Sequence, residues 1–172
     1  MNLQEAVKLQ LGMWHGVVDG QVADCSSDVL HKNVDGATIT SIASVYAHIA
    51  FGEDFIVQGM LQGKTPVYFA GGWDKKLSVT PPGESPEMKP EWGKQVQMDV
   101  PAFQAYAKDV WAATDAYLTN VSEKDLDRKV QTPAGEQNVA WAIAAILGTH
   151  APQHSGEIAA LKGVQGAKGL PF

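Results

Sequence analysis

The chain has 172 residues, 45% of them hydrophobic and 19% charged, which suits a single globular domain with a sizeable core. Its 13 Lys and Arg against 19 Asp and Glu give a formal net charge of −6 with no basic run, so a nucleic-acid surface is not expected. The lone cysteine, Cys25, allows no internal disulfide, no apolar stretch is long enough to span a membrane, and no signal-peptide core is read at the N-terminus, so the expected setting is the cytoplasm.

Four long helices are predicted. The first covers residues 2–24, with Leu3, Val7, Leu11, Trp14, Val18 and Val22 as its buried stripe. Cys25 falls late in that pattern and reads as packing. His15, next to Trp14, has no partner pattern and reads as structural or solvated. Ser26 to Gly36 is a polar connector that holds His31, read in the same way. The second helix covers 38–62, with Thr38 or Thr40 as N-cap and Ile42, Val45, Ile49 and Ile56 as its stripe. His48 lies beside that stripe, on a strip of small residues with Ser41, Ser44, Gly52 and Gly59. Such a strip allows close helix approach or leaves room for a ligand.

Residues 63–98 are of a different kind. They hold Gly63, Gly71, Gly72, Gly83 and Gly93, and the prolines Pro66, Pro81, Pro82, Pro86 and Pro90, together with Tyr68, Phe69, Trp73 and Trp92. A connection this long is often a binding loop. It reads either as a lid over one end of the helices or as plain packing against them, with short strands at Val67–Phe69 and Gln95–Met98. The third helix starts at Asp99-Val100-Pro101, an N-cap followed by a proline suited to the first turn, and its stripe is Phe103, Tyr106, Val110, Ala113, Tyr117 and Val121. Ser122 to Val130 then echoes Ser27 to Val34, as a repeated helical hairpin or as two connectors of like composition.

The fourth helix is expected from Glu136 to Lys162, ended by Gly163. Its stripe is Val139, Ile143, Leu147, His150, His154, Ile158 and Leu161, so two histidines occupy core-facing positions in an apolar row. A buried imidazole needs partners for both ring nitrogens, and a metal ion or a polar network supplies them. Pro152 sits between the pair, clashes with the carbonyl of Gly148 and predicts a kink. That kink either aims the two histidines at one point or bends the helix around the core. Glu157 shares their face, as an exposed residue or as an orienter, base or fourth ligand; Glu53, five after His48, is a weaker candidate.

The segments SIASVYAHIAFGEDF around His48 and GTHAPQHSGEIAALKGVQGAKGLPF around His150 and His154 resemble the DinB-like superfamily, through the H-x3-H pair, the Gly-Glu-Ile that follows it and the glycine-rich tail. The resemblance covers nearly the whole chain in helix order and length. It implies an all-α fold, an antiparallel four-helix bundle formed by residues 1–172 as one domain, with 63–98 as a long irregular insertion between helices two and three. It also implies a three-histidine site for a divalent metal, one ligand from the second helix and two from the last: His48, His150 and His154. Three neutral imidazoles leave positions open for water or substrate, and ligand type alone does not choose among zinc, nickel, copper and iron.

Characterised relatives include thiol transferases, so the resemblance implies activation of a low-molecular-weight thiol for S-transfer to an electrophile. Arg128 is the only arginine, so Lys64, Lys75 and Lys76 are the cations available for a thiol's carboxylates. The alternatives are a metal-dependent hydrolase with Glu157 as base, and a non-catalytic bundle that binds a metal or small ligand. The expected partners are a small-molecule substrate and a second copy of the chain, as a homodimer.

Overall fold

In the computed structural model, which describes residues 1–83 and 89–170, Asn2 sets the first helix. Its side chain accepts the amide of Glu5 at 2.9 Å while the Glu5 carboxylate accepts the amide of Asn2 at 3.0 Å, and this reciprocal cap starts α1 (Leu3–Ala23). The connector carries a short helix, α2 (Ser27–His31). The second long helix, α3 (Ile42–Asp54), starts at neither Thr38 nor Thr40. Ser41 and Ser44 cap each other instead, side chain to amide, at 3.2 and 3.0 Å. Every residue from Ile42 to Asp54 is buried. Ala43, Ala47, Ala50 and Gly52 keep that helix slim enough to be packed on all sides. It continues as a π-helical segment, Phe55–Leu61.

The insertion holds helices where strands are expected. Val67–Ala70 is α4, Trp73–Lys75 is a 3₁₀ turn, Pro90–Gly93 is α5, and Gln95–Met98 carries no strand. The cause is not local: the buried carboxylate of Asp54 accepts the amides of Val67 at 2.8 Å and Tyr68 at 2.9 Å, satisfying the orphan donors of a helix start. Pro86 lies outside the described residues. Two of the insertion's aromatics fold back, with Tyr68 buried and the Trp73 indole donating to Asp109 at 3.0 Å, while Phe69 stays exposed.

The third long helix, α6 (Val100–Asn120), begins as expected, with Asp99 accepting the amide of Ala102 at 2.8 Å and Pro101 in the first turn. Its buried face keeps Phe103, Tyr106 and Val110, then drifts to Trp111, Thr114 and Leu118. A seven-residue repeat precesses around a helix of 3.6 residues per turn, which leaves Ala113 and Tyr117 half-buried and Val121 past the helix end. After α7 (Glu123–Leu126) comes a hairpin, β1 (Lys129–Thr132) and β2 (Gly135–Asn138), antiparallel with Thr132 opposite Gly135. Gly135 turns at φ +88°, a value that favours glycine. The last helix therefore starts at Val139, not Glu136, where Asn138 accepts the amide of Trp141 at 2.8 Å. It runs as α8 (Val139–Trp141), a π-helical segment (Ala142–Leu147) and α9 (Gly148–Val164).

Both connectors open with a short helix, but the cap of the first is Ser26, one residue before the Ser27 that the echo sets against Ser122. Ser26 and Ser122 each cap a short helix, accepting an amide three residues on at 3.4 and 3.1 Å, but the hairpin follows the second alone. The molecule is mostly helical with one two-stranded sheet. α1 packs against α6 and α9, and α3 packs against the same two helices. One core cluster surrounds Tyr46, Phe51, Phe103 and Tyr106; the other surrounds Leu11, Val57, Leu118 and Leu147. Among the described residues no helix is long and apolar enough to cross a membrane.

Candidate metal centre

α3 delivers His48, and α9 delivers His150 and His154 one turn apart. Their rings meet edge to face, with centroids 4.6 to 4.9 Å from one another. One possible ligand atom from each lies within 4.8 Å of the others. The Nε2 atoms of His48 and His150 are 3.1 Å apart. Two nitrogens held at about 2.0–2.1 Å from one ion stand roughly 3.0–3.4 Å apart, so this spacing already fits shared coordination. His150 Nδ1 is buried and meets no hydrogen-bond partner among the described residues. Burial, and then the neighbouring His48 and His154, hold the His150 pKa well below the ordinary imidazole value. It is therefore neutral at pH 7, the state a metal requires of an imidazole.

Glu157 touches the cluster through one histidine. His154 Nδ1–H donates to its Oε2 at 2.6 Å, which fixes the tautomer and leaves Nε2 as the ring's free acceptor. Gly52 touches it through another. A Cβ on Gly52 would fall 2.6 Å from His150 Cε1 and 3.0 Å from Nε2, so only a glycine lets α9 bring this ring against α3. Pro152 has no N–H for the carbonyl of Gly148, and Gln10 of α1 donates to that carbonyl at 2.8 Å. Each histidine helix also carries a π-helical segment, one after His48 and one ending just before Gly148, features common near functional sites.

Several other residues go elsewhere. Glu53 pairs with His15, Nε2 to Oε2 at 2.9 Å, and the His15 ring stacks on Trp111 at 3.9 Å. His31 accepts the amide of Met98 at 3.1 Å, and Cys25 bonds the carbonyl of Gln21. Arg128 donates to the carbonyl of Leu61. A small cavity of about 90 Å³ opens beside His48, walled by Phe51, Gly52 and Phe55 from the helix and by Pro66, Phe69 and Pro81 to Gly83 from the insertion. Among the described residues none of Lys64, Lys75 and Lys76 lines it, and neither do Trp73 and Trp92. The small-residue strip read in the sequence does allow a close helix approach at Gly52, though it does not name His150 as what approaches. Sequence reasoning missed the Asp54 cap, because it joins segments whose meeting no local pattern announces.

A search of curated proteins finds no match. Among solved structures, a crystal structure described as the conserved protein of locus from Enterococcus faecalis is similar in fold. Its TM-score is 0.77 at 19% identity, over 94% of this chain and 95% of that one. The model of the DinB superfamily matches residues 18–158, a span that includes all three histidines, and the chain belongs to that superfamily.

Proposed function

We propose that His48, His150 and His154 hold one divalent cation (zinc, nickel or iron), and that the protein is a metal-dependent enzyme activating a low-molecular-weight thiol for S-transfer to an electrophile. The observation that carries this reading is the convergence of three imidazoles, one of them half-buried with its Nδ1 enclosed and held neutral, at a spacing that fits shared coordination. When bound, the ion would supply Lewis acidity that lowers the pKa of a thiol. The chain's own groups do the rest. Burial keeps His150 neutral, Glu157 holds the His154 tautomer, and Gly52 lets His150 approach. The apolar walls beside His48 suit the organic part of a substrate. Because Glu157 Oε2 is engaged by His154, its role here is positioning, which favours thiol transfer over a hydrolase with Glu157 as base.

The same reading arranges the four long helices as an antiparallel bundle within a single domain of residues 1–172, with 63–98 as its lid. It places the protein in the cytoplasm as a homodimer, and exposed Leu9 and Met13 on α1 support an apolar contact face. Elemental analysis of protein purified without added metal is the first test. One ion per chain is expected, lost in His150→Ala with the helical CD spectrum unchanged. Metal-loaded protein should then conjugate a thiol from a broad panel to an electrophile. Cleavage of esters or amides without thiol transfer would transfer the assignment to a hydrolase. Neither activity would leave a non-catalytic metal-binding bundle.

A further inference from the structure

We infer that the cavity beside His48 seats the electrophile, and that it selects a small uncharged hydrocarbon group of about three or four carbons, with Phe69 setting the size limit. This rests on the S-transfer reading above and adds a substrate class to it. His48 and Gly52 belong to both places: they line the cavity, and Gly52 is where the His150 ring meets α3. A group seated there stands against the metal centre. The rest of the described wall is three phenylalanines, three prolines and Gly83, and none of these side chains carries a charge. A charged group enclosed by such a wall loses hydration and gains no partner, whereas a hydrocarbon group loses nothing. The wall also decides which reactant sits here. Lys64, Lys75 and Lys76, the cations available to a thiol's carboxylates, do not line it, so the cavity suits the carbon partner and not the thiol.

Size narrows the class further. An apolar cavity of about 150 Å³ takes one benzene, so by proportion the 90 Å³ here takes about three or four carbons. The inner wall is fixed, because Phe51 is buried and meets the Tyr68 ring edge to face at 5.3 Å. The outer wall is Phe69 of α4. Phe69 is 56% exposed, yet it is held in place: its ring packs edge to face on the buried Tyr68 at 5.0 Å, and Asp54 of α3 caps the start of its helix. A side chain so exposed carries little of the core, so replacing it changes the cavity and spares the fold. With an alkyl halide as electrophile, the thiol sulfur attacks the carbon that bears the halogen. The carbon–sulfur bond forms as the carbon–halogen bond breaks, the halide leaves with the electron pair, and the thiol proton passes to solvent.

The first test needs neither metal nor turnover. Metal-free protein at about pH 8, where an ordinary imidazole is neutral, is titrated with 1-chloropropane, propionate, propylammonium and chlorobenzene, followed by NMR at the Gly52 amide and the Phe69 ring. Saturable shifts are expected with 1-chloropropane, and binding at least about tenfold weaker with the other three, the discrimination a close-fitting apolar pocket can supply. Phe69→Ala should weaken 1-chloropropane and admit chlorobenzene about tenfold better. No saturable response to 1-chloropropane, equal binding of either charged probe, or chlorobenzene excluded as before from Phe69→Ala would overturn the inference. The second test uses metal-loaded protein and the thiol that the panel identifies. Relative to uncatalysed rates, allyl bromide should be favoured about tenfold over bromoacetate and over benzyl bromide, and Phe69→Ala should bring benzyl bromide level. Thiol transfer that favours bromoacetate would overturn the inference and leave the S-transfer reading standing. Selective binding of 1-chloropropane with no transfer of any thiol would overturn the S-transfer reading, and the electrophile with it.

Discussion

At the scale of single residues, Gly52 is the sharpest point of the candidate centre. Its missing side chain is occupied by the His150 ring, so Gly52→Ala must push that ring away from His48. The expected outcome is loss of most metal affinity with little change in helical CD, read by calorimetric titration with zinc. Gly16→Ala is the control, because nothing lies within 4 Å of where its Cβ would be. That substitution should stabilise α1 by about 0.5–1 kcal/mol and leave metal affinity alone. The depressed His150 pKa makes a second prediction. The folded state resists a proton that the unfolded chain accepts near pH 6.5, so the stability present above that pH is lost as pH falls toward the folded value. Metal-free protein should therefore melt lower at about pH 5.5 than at about pH 7.5, and His150→Gln should flatten that slope. An equally steep slope in the variant would assign the effect to other groups.

At the scale of elements, α1 and α9 are coupled through a proline. Pro152 orphans the carbonyl of Gly148 and Gln10 meets it, so Gln10→Ala should cost about 0.5–1.5 kcal/mol by urea denaturation. In a Pro152→Ala background the restored N–H competes for the same carbonyl, and the cost of Gln10→Ala should shrink. A double-mutant cycle showing simple additivity would contradict this. The same scale explains what could be read beforehand. α1, α6 and the heart of α3 and α9 announce themselves through apolar period and, at Asp99-Val100-Pro101, through a cap. The hairpin did not, because Lys129–Thr132 and Gly135–Asn138 are short, polar and bury little beyond Val130. α4 was hidden because Asp54, 13 residues before Val67, supplies its cap. The π-helical segments leave no mark in a stripe that tolerates one extra residue. Of the centre, the H-x3-H pair and His48 were visible, as was the shared face of Glu157. The pairing of Glu53 with His15 was not, since it joins α1 to α3 across 38 residues.

At the scale of the whole molecule, the three histidines are a clasp. His48 and His150 are 102 residues apart in sequence, and only the folded packing of α3 against α9 puts their Nε2 atoms side by side. An ion held by this cluster binds the folded state and has no equivalent site in the unfolded chain, so binding must appear as stability. At a free zinc concentration about 100 times Kd the gain is about 2.7 kcal/mol. For a chain of this size each kcal/mol moves Tm by about 2–4 °C, so zinc should raise Tm by about 5–10 °C. His48→Ala leaves two imidazoles on one helix and removes the tie to α3, so the rise should vanish. The rise is read for each protein against its own metal-free Tm, so any cost of removing the buried His48 ring does not enter the comparison. A zinc-dependent rise of the same size in His48→Ala would mean that the ion sits elsewhere and that α3 takes no part in holding it.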